Sequence, residues 1–284
     1  MLSVVQMHYA VYFATWDGGV FLCMETMKTS NNTLFLHGGP GLHSAVERTW
    51  FGEMLPILWW DQPSVAGEPS PFRLLVAHAA HQLETLAESN GGRVDLIAHS
   101  FGGQIAAALA REYPGLIRRI TLLGCPHGRV SHFFLFARRL LEAGYERPGL
   151  RDALAAVEEN CDVSRFFALM GACYPDSALP DIYFGPYSAE VRKRYFVMAA
   201  KTLPVDMATF FAVMQEFLLS PNSTQPSEYG GEVTIIMGRD DPLLDLNEDK
   251  HKWLEVFHQA ELKLVDAGHF LHLELPPDAW FAVS

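Results

Sequence analysis

Residues 95–103 read Asp-Leu-Ile-Ala-His-Ser-Phe-Gly-Gly, and this stretch decides the fold. An apolar run leads into Ser100, and residues 104–111 follow with helical spacing. This order is typical of a nucleophile elbow, a sharp strand-to-helix turn that lifts a serine hydroxyl out of the backbone. The crowded turn requires small residues two positions before and after the serine, where Ala98 and Gly102 stand. We therefore predict that Ser100 is a nucleophile between a strand and a helix.

The composition of the 284-residue chain is that of a globular protein, with 49% hydrophobic and 19% charged residues. A formal net charge of −12 argues against nucleic acid and anionic lipid as partners, because both bind clustered Lys and Arg. Residues 1–10 show no signal-peptide pattern, and no apolar run approaches the ~20 residues of a membrane span. The four cysteines are widely spaced without a Cys-x-x-Cys pair, so we expect free thiols, no zinc site and a cytoplasmic location.

Strand and helix patterns alternate on both sides of the elbow. Aromatic and β-branched residues around a Gly-containing turn predict an antiparallel hairpin over residues 9–14 and 20–26. Beyond the hairpin, the alternation predicts parallel strand–helix–strand units with helices on both faces of the sheet. The predicted strands are 33–36, 57–60, 93–98 and 117–123, and the predicted helices between them are 44–55, 74–89 and 103–113.

The alternation stops at residue 125, and no convincing strand follows until about residue 230. Helical patterns fill this stretch, at residues 131–142, 149–159, 164–172, 189–201 and 207–219. The sheet pattern then resumes with a strand at 233–237, a helix at 247–258 and a strand at 261–265. We therefore predict a core domain of residues 1–124 and 231–284, with a helical cap domain of residues 125–230. The cap holds more than half of the 19 Phe and 9 Tyr residues. We expect most of them to form a core within the cap and the rest to line an apolar pocket above the sheet.

A nucleophilic serine needs a base and a group that orients the base, and both follow late strands in the expected order. His269 lies just past the last predicted strand, in a Gly-containing turn, and is the candidate base. Residues 237–242 read Met-Gly-Arg-Asp-Asp-Pro, and Asp241 is the preferred acid, with Asp240 and then Asp245 as alternatives. Together with Ser100, these residues predict a catalytic triad.

Two backbone N–H groups are needed to bind the oxyanion. Phe101 supplies one, because it follows the serine at the start of a helix whose dipole favours negative charge. Residues 37–41, His-Gly-Gly-Pro-Gly, follow another strand end, and glycine there lets the backbone approach a substrate without a Cβ. Gly39 is the first choice for the second donor and Gly38 the alternative.

At these residues the chain resembles the α/β-hydrolases over essentially its whole length. The His-Gly-Gly-Pro-Gly loop, followed about 20 residues later by Asp61-Gln62, is similar to the proline iminopeptidase branch in particular. The resemblance implies a mostly parallel eight-stranded sheet with a helical cap inserted between its sixth and seventh strands. The chain departs from that branch where Pro63-Ser64 replaces Arg-Gly and where Ala98-His99 replaces Gly-Gly.

Members of that branch hold the amine of the substrate with carboxylates of the cap. Four glutamates are candidates here, although we expect them to be carboxylates on helix surfaces: Glu158, Glu159, Glu190 and Glu216. His37, His99 and His127 are candidates for substrate binding, although the His99 ring is expected to diverge from Ser100. Asp61 is expected to tie down loops, and His272 is a further possible pocket residue.

The sequence thus predicts a serine hydrolase that cleaves an ester, amide or related acyl bond of a small, largely apolar molecule, with no cofactor and no metal. Three alternatives use the same triad: a carbon–carbon bond hydrolase, a thioesterase and an acyltransferase. A fourth is a non-catalytic ligand-binding protein on the same scaffold, because fold alone does not fix function. The sequence leaves the oligomeric state open.

Overall fold

The computed structural model describes residues 9–16, 19–26, 32–145, 147–175, 180–202, 204–220 and 226–281. Before residue 32 it describes the backbone of two strands, β1 (Tyr9–Trp16) and β2 (Gly19–Thr26). The two strands pair antiparallel, which confirms the predicted hairpin. Asp17 and Gly18 of the predicted turn lie outside the described residues.

A parallel sheet of six strands forms the centre of the described chain. Its strands are β3 (Thr33–Leu36), β4 (Ile57–Trp59), β5 (Val94–His99), β6 (Ile117–Leu123), β7 (Glu232–Gly238) and β8 (Glu261–Val265). Their spatial order is β4-β3-β5-β6-β7-β8. The expectation of a single eight-stranded sheet is wrong for the described residues, because β1 and β2 hydrogen-bond with each other and form a separate two-stranded sheet.

The position of each strand in the sheet follows from its residues. Every residue of β3 and β5 is buried, as expected for central parallel strands that are covered on both faces. The outermost strand β8 alternates charged and apolar residues and exposes three of its five positions. The buried apolar side chains of the central strands and of the flanking helices form one continuous core.

Three helices precede the long helical segment. They are α1 (Ala45–Phe51), α2 (Pro71–Asn90) and α3 (Gly102–Glu112). Helix α2 has Pro71 at its first position, where the missing N–H costs nothing, and ends at Gly91 in the left-handed conformation. Helix α3 carries a run of buried alanines that allows it to pack closely on the sheet. The observed bounds of α2 and α3 agree with the predicted ones within three residues.

Between β6 and β7 lies the segment of residues 125–230 that we call the insertion, and its described residues form five α-helices. They are α4 (Ser131–Glu142), α5 (Leu150–Glu159), α6 (Val163–Cys173), α7 (Ala189–Ala199) and α8 (Met207–Leu219). Asp162 and Asp206 cap α6 and α8 by accepting a backbone N–H with their side chains. The described residues of the insertion contain no strand, as the sequence predicts.

After β7 comes α9 (Leu246–Val256), which confirms the predicted helix of residues 247–258. The short α10 (Leu271–Glu274) was not predicted. The described cysteines Cys125, Cys161 and Cys173 are free thiols. Over the same described ranges, no helix combines the length and the apolar character needed to cross a membrane.

Candidate active site

Ser100 lies at the carboxyl end of β5, in the turn that leads into α3. Its φ of 54° is in the left-handed region, which is uncommon for a residue other than glycine and indicates a tight turn. Its backbone N–H donates to the carbonyl of Leu123, at the end of the neighbouring strand β6, at 3.1 Å. A Cβ on Gly102 would lie 2.1 Å from the carbonyl oxygen of Leu36, so only glycine fits there. The backbone of the predicted elbow is therefore present.

Asp241 and His269 form a buried carboxylate–imidazole pair. Oδ2 of Asp241 lies 2.8 Å from Nδ1 of His269, and the two side chains are 0% and 4% exposed. The other carboxylate oxygen, Oδ1, accepts the backbone N–H of Leu243 at 2.9 Å. A neutral imidazole that donates from Nδ1 to a carboxylate keeps a lone pair on Nε2. This is the tautomer that a general base needs.

The other two carboxylates of this loop lie elsewhere. Asp240 is exposed to solvent. Asp245 caps α9, where its Oδ1 accepts the backbone N–H groups of Asn247 and Glu248, each at 3.0 Å. Of the three candidates for the orienting acid, Asp241 is the one whose side chain contacts the histidine.

The strand ends bring Ser100 and the Asp241–His269 pair to the same edge of the sheet. Gly124 follows β6 with a φ of 54°, and a Cβ on it would lie 3.1 Å from Asp241 Oδ2 and 3.6 Å from His269 Nδ1. Among the described residues, no hydrogen bond joins the Ser100 hydroxyl to the His269 ring. Catalytic hydrogen bonds often close only when substrate is bound, so this arrangement is compatible with a triad.

The loop of residues 37–41 runs beside Ser100. A Cβ on Gly38 would lie 3.2 Å from Ser100 Cβ and 3.6 Å from its Oγ, so the loop backbone reaches the hydroxyl. Gln62 supports the loop, because its Nε2 donates to the Gly38 carbonyl at 3.2 Å and its Oε1 accepts the Gly41 N–H at 3.0 Å. Gln62 thus holds one side of the loop, and the opposite side of the loop faces Ser100.

The hydrogen bond between Gln62 and the Gly38 carbonyl constrains the direction of the neighbouring Gly39 N–H. The C=O and the next N–H of a trans peptide point in opposite directions, so the Gly39 N–H points away from Gln62, to which the Gly38 carbonyl is bonded. Neither this N–H nor that of Phe101 donates a backbone hydrogen bond among the described residues.

The structure places the three histidines that were predicted to bind substrate in different surroundings. His37 is buried, with Nδ1 donating to the Gly38 carbonyl at 2.6 Å and Nε2 accepting the Gln62 N–H at 3.2 Å, so both ring nitrogens hold the loop. His127 is half-buried, and its ring packs edge-on against Trp253. The third histidine, His99, lies beneath His269.

A cluster that the sequence did not predict surrounds His99. Nε2 of His99 lies 2.9 Å from the carbonyl oxygen of His269. Its ring centroid is 4.4 Å from that of His272, whose Nε2 is 3.3 Å from Oε1 of Glu47. His99, His272 and Glu47 offer potential metal-ligand atoms within 4.8 Å of one another. We assign them to hydrogen bonding instead, because Nε2 of both histidines already has an oxygen partner.

Burial controls the protonation of this cluster. Desolvation lowers the pKa of His99 well below its usual value, and the neighbouring rings of His272 and His269 lower it further. Burial alone would raise the pKa of Glu47, but the hydrogen bond from His272 and its charge outweigh burial, and the pKa is lowered. His99 is therefore neutral at pH 7, and Glu47 is ionised.

Two polar links join the insertion to the loops of the Asp241–His269 pair. Tyr183 accepts the backbone N–H of His269 at 2.7 Å with its carbonyl, and its ring packs edge-on against the imidazole at 5.4 Å. Arg139 of α4 donates to the carbonyl of Asp241 and, at 2.8 Å, to that of Leu244. The insertion therefore contacts the backbone on both sides of the pair.

Glu274 makes a third link. Its carboxylate accepts the backbone N–H groups of Gly268 at 3.1 Å and of Gly185 at 2.9 Å, and it also accepts the hydroxyl of Ser188. Gly268 precedes His269, and the other two residues belong to the insertion. One carboxylate thus joins the histidine turn to the insertion.

The four glutamates considered as anchors for a substrate amine have other partners or face solvent. Glu158 forms an ion pair with Arg138 at 2.7 Å, and the side chain of Glu159 is 77% exposed. Glu190 is exposed, and Glu216 accepts the backbone N–H of Phe72 at 2.8 Å. Among the described residues of the insertion, no carboxylate is buried.

A family model described as alpha/beta hydrolase fold matches residues 59–276. The chain therefore belongs to the α/β-hydrolase fold family, as its motifs predict, and it is a hydrolase of this fold. A search of curated protein sequences finds no match.

Solved structures of the same fold include a proline iminopeptidase-related protein from Thermus thermophilus, with 21% identity, a TM-score of 0.61, and coverage of 96% of this chain and 94% of that one. A thermophilic esterase from Thermogutta terrifontis has 18% identity and a TM-score of 0.54, covering 96% and 95%. Est816, an N-acyl homoserine lactone degrading enzyme, has 16% identity and a TM-score of 0.54, covering 95% and 94%.

Proposed function

We propose that this protein is a serine hydrolase that cleaves an acyl bond of a small, largely apolar molecule. Ser100 is the nucleophile, His269 the general base and Asp241 the acid that orients it. The observation that carries the proposal is the buried Asp241–His269 pair, in which Nδ1 faces the carboxylate, at the sheet edge where the Ser100 turn lies. The roles follow from the tautomer and from this shared edge.

The reaction proceeds in two halves. The Ser100 hydroxyl oxygen attacks the substrate carbonyl while its proton passes to Nε2 of His269, and Asp241 stabilises the imidazolium. The N–H groups of Phe101 and Gly39, or of Gly38 as the alternative, bind the oxyanion. His269 then returns the proton to the leaving group, and water hydrolyses the acyl-enzyme by the same steps in reverse order. No cofactor enters this scheme.

The proposal is tested first on the nucleophile. A fluorophosphonate should label the wild-type protein at Ser100, and Ser100→Ala should abolish labelling and lower kcat/KM for an activated ester by about 10⁴-fold or more. Ser89→Ala, on the surface of α2, serves as the control and should change neither. Unlabelled wild-type protein without esterase activity would favour a ligand-binding protein, and undiminished turnover by Ser100→Ala would overturn the mechanism.

We further propose that the substrate carries no free amine at the recognised position. A buried carboxylate near the serine would be needed to hold an ammonium group, and the described insertion has none. Aromatic side chains instead pack together there. The ring of buried Phe133 contacts those of buried Phe166 and half-buried Phe210. A neutral ester or lactone suits such surroundings, as in the esterase and the N-acyl homoserine lactone degrading enzyme of similar fold.

A panel of substrates tests this preference. We expect kcat/KM for p-nitrophenyl butyrate and octanoate to exceed that for proline p-nitroanilide by about 100-fold or more. Faster cleavage of the aminoacyl amide would restore the aminopeptidase assignment. Acyl thioesters, a ring-cleavage dienoate and an added alcohol acceptor, assayed in parallel, test the thioesterase, carbon–carbon hydrolase and acyltransferase alternatives. We also propose a small-molecule partner and a cytoplasmic location, in keeping with the charge and the cysteines.

A further inference from the structure

Helix α8 of the insertion begins against the loop that contains the proposed oxyanion donors. The backbone N–H of Asp206, the residue before α8, donates to the Gly41 carbonyl at 2.8 Å. Gly41 has a φ of 77°, and a Cβ on it would overlap the carbonyl oxygen of Asp206, so the two backbones touch and only glycine fits. The start of α8 is thus fixed against the end of the loop of residues 37–41.

The Thr209 hydroxyl links this contact to a second loop. Asp206 caps α8 by accepting the backbone N–H of Thr209 at 3.1 Å with Oδ1, and the Thr209 hydroxyl donates to Oδ2 at 2.8 Å. The same hydroxyl oxygen accepts the backbone N–H of Val65, 144 residues away along the chain, at 2.9 Å. Capping requires only the first of these bonds, so the bond from Val65 ties the start of α8 to the core.

Val65 lies three residues after Gln62, which holds the other side of the loop of residues 37–41. Oε1 of Gln62 accepts the backbone N–H of Gly41 at 3.0 Å. Gly41 is therefore bonded on both sides, through its carbonyl to Asp206 and through its N–H to Gln62. The contacts form a closed circuit through five residues: Gly41, Asp206, Thr209, Val65 and Gln62. The Thr209 hydroxyl closes this circuit.

The circuit lies next to the proposed oxyanion donors. Gly39 and Gly38 precede Gly41 by two and three residues, and a Cβ on Gly38 would lie 3.6 Å from Oγ of Ser100. Backbone N–H groups stabilise an oxyanion only when they point at the oxygen that becomes charged, and a displacement of about 0.5 Å weakens this effect. What holds Gly41 therefore bears on the position of the donors.

We propose that Thr209 is a positioning residue for oxyanion binding: its hydroxyl ties α8 to the core and thereby holds the loop of residues 37–41 where the Gly39 N–H, or that of Gly38, meets the oxyanion. The Thr209 side chain is fully buried, so it touches neither substrate nor reacting atoms and acts through Gly41. This inference rests on the proposed function. The insertion then contributes to stabilisation of the transition state.

The test is Thr209→Val, which keeps the shape of the side chain and the capped N–H but removes the hydroxyl. We expect kcat for p-nitrophenyl butyrate to fall about 10-fold and KM to stay within about 2-fold, because the oxyanion forms only after the substrate is bound. Thr209→Ser, which keeps the hydroxyl, should restore kcat to within about 2-fold of wild type. Thr202→Val is the matched control, because the Thr202 hydroxyl bonds within the insertion, to the Ala199 carbonyl at 2.8 Å, and it should leave both constants unchanged.

A pair of inhibitors distinguishes a displaced donor from a changed pocket. An octyl trifluoromethyl ketone is attacked by the Ser100 oxygen and places an oxyanion against the loop, whereas octyl methyl ketone binds as the intact ketone. The inhibition constant of the trifluoromethyl ketone should rise about 10-fold in Thr209→Val, and that of the methyl ketone should stay within about 2-fold.

An unchanged kcat in folded Thr209→Val, equal changes of the two inhibition constants, or equal losses in Thr209→Val and Thr209→Ser would overturn the inference. Should Thr209→Val not fold, Asp206→Ala replaces it, because it removes the acceptor of the hydroxyl and keeps the backbone N–H that donates to Gly41. The trifluoromethyl ketone alone must then bind more weakly, and any other result overturns the inference. Activity that survives Ser100→Ala contradicts the proposed function itself, and this outcome is separate from a Ser100-dependent enzyme in which Thr209→Val loses nothing.

Discussion

The sheet edge and the insertion contribute different kinds of groups to the candidate site. The sheet edge supplies the reactive groups, each at the end of a strand and each held by backbone contacts that allow little movement. Gly102 and Gly124 show this restriction, because a Cβ on either would meet a neighbouring atom at 2.1 Å or 3.1 Å. The insertion supplies aromatic side chains and a few polar links, Arg139, Tyr183 and the partners of Glu274. Under the proposed function, we therefore expect the chemistry to depend on the sheet edge and the selectivity to depend on the insertion.

Asp241→Asn should have the largest effect on this division. The asparagine amide can donate to His269 Nδ1 and favour the wrong tautomer, so we expect kcat/KM for p-nitrophenyl butyrate to fall about 10³- to 10⁴-fold. Asp240→Asn, one position away and exposed, is the matched control and should retain wild-type activity. Equal losses in the two variants would mean that the loop as a whole, and not the acid, supports activity.

Arg139→Met should have an intermediate effect and tests whether the insertion merely covers the site. Its guanidinium donates to the carbonyls of Asp241 and Leu244. The loss of these bonds removes the side-chain donor of the Leu244 carbonyl and leaves the Asp241 carbonyl with the N–H of Leu244 alone, at 3.4 Å. We expect kcat/KM to fall about 10-fold and the free energy of unfolding to fall by about 1–3 kcal/mol. Arg138→Met, which removes an exposed ion pair with Glu158, should change both by much less. Similar results for Arg139→Met and Arg138→Met would show that the contacts of Arg139 with the Asp241 loop do not support activity.

Asp249→Asn should have the smallest effect on activity. It tests how Asp249, which lies where the insertion meets the core, changes the free energy of unfolding with pH. Asp249 accepts the N–H of His127 at 2.7 Å and that of Asp245 at 2.8 Å, and burial raises its pKa from 3.8 to about 7. The folded state therefore keeps a proton that the unfolded chain releases above pH 4, so stability falls as pH rises from 4 to 7. Between pH 5 and 7 this amounts to about 2 kcal/mol.

Denaturant unfolding of wild type and Asp249→Asn at pH 5, 6 and 7 measures this contribution. The wild-type free energy of unfolding should decline with pH relative to that of the variant, and the difference should level off above pH 7. Asp240→Asn again serves as the control and should follow wild type. Parallel pH dependences in wild type and Asp249→Asn would show that Asp249 titrates near its ordinary value.

The residues at strand ends were predictable from the sequence, because a parallel sheet brings the carboxyl ends of its strands together whatever the loops contain. Ser100, Asp241 and His269 each follow an apolar run, and so does the loop that begins at His37. The choice of Asp241 over Asp240 came from a spacing typical of the resembled family, and the geometry of the Asp241–His269 contact supports it.

The cluster beneath the site was not predictable in this way. Glu47 and His272 are 225 residues apart and lie on two different helices, and no periodicity connects them. His99 was noted for its place beside Ser100, but its partners depend on how α1 and α10 pack. The expected eight-stranded sheet also failed for the described residues, because strand patterns predict strands and not which of them pair.

The hydrogen bond from the His269 N–H to the Tyr183 carbonyl has a consequence for turnover. Any movement that lifts this part of the insertion, to admit a molecule or release one, must break a main-chain contact of the base itself. Under the proposed mechanism, such a movement would release one restraint on the backbone of His269, and the return of the insertion would restore it.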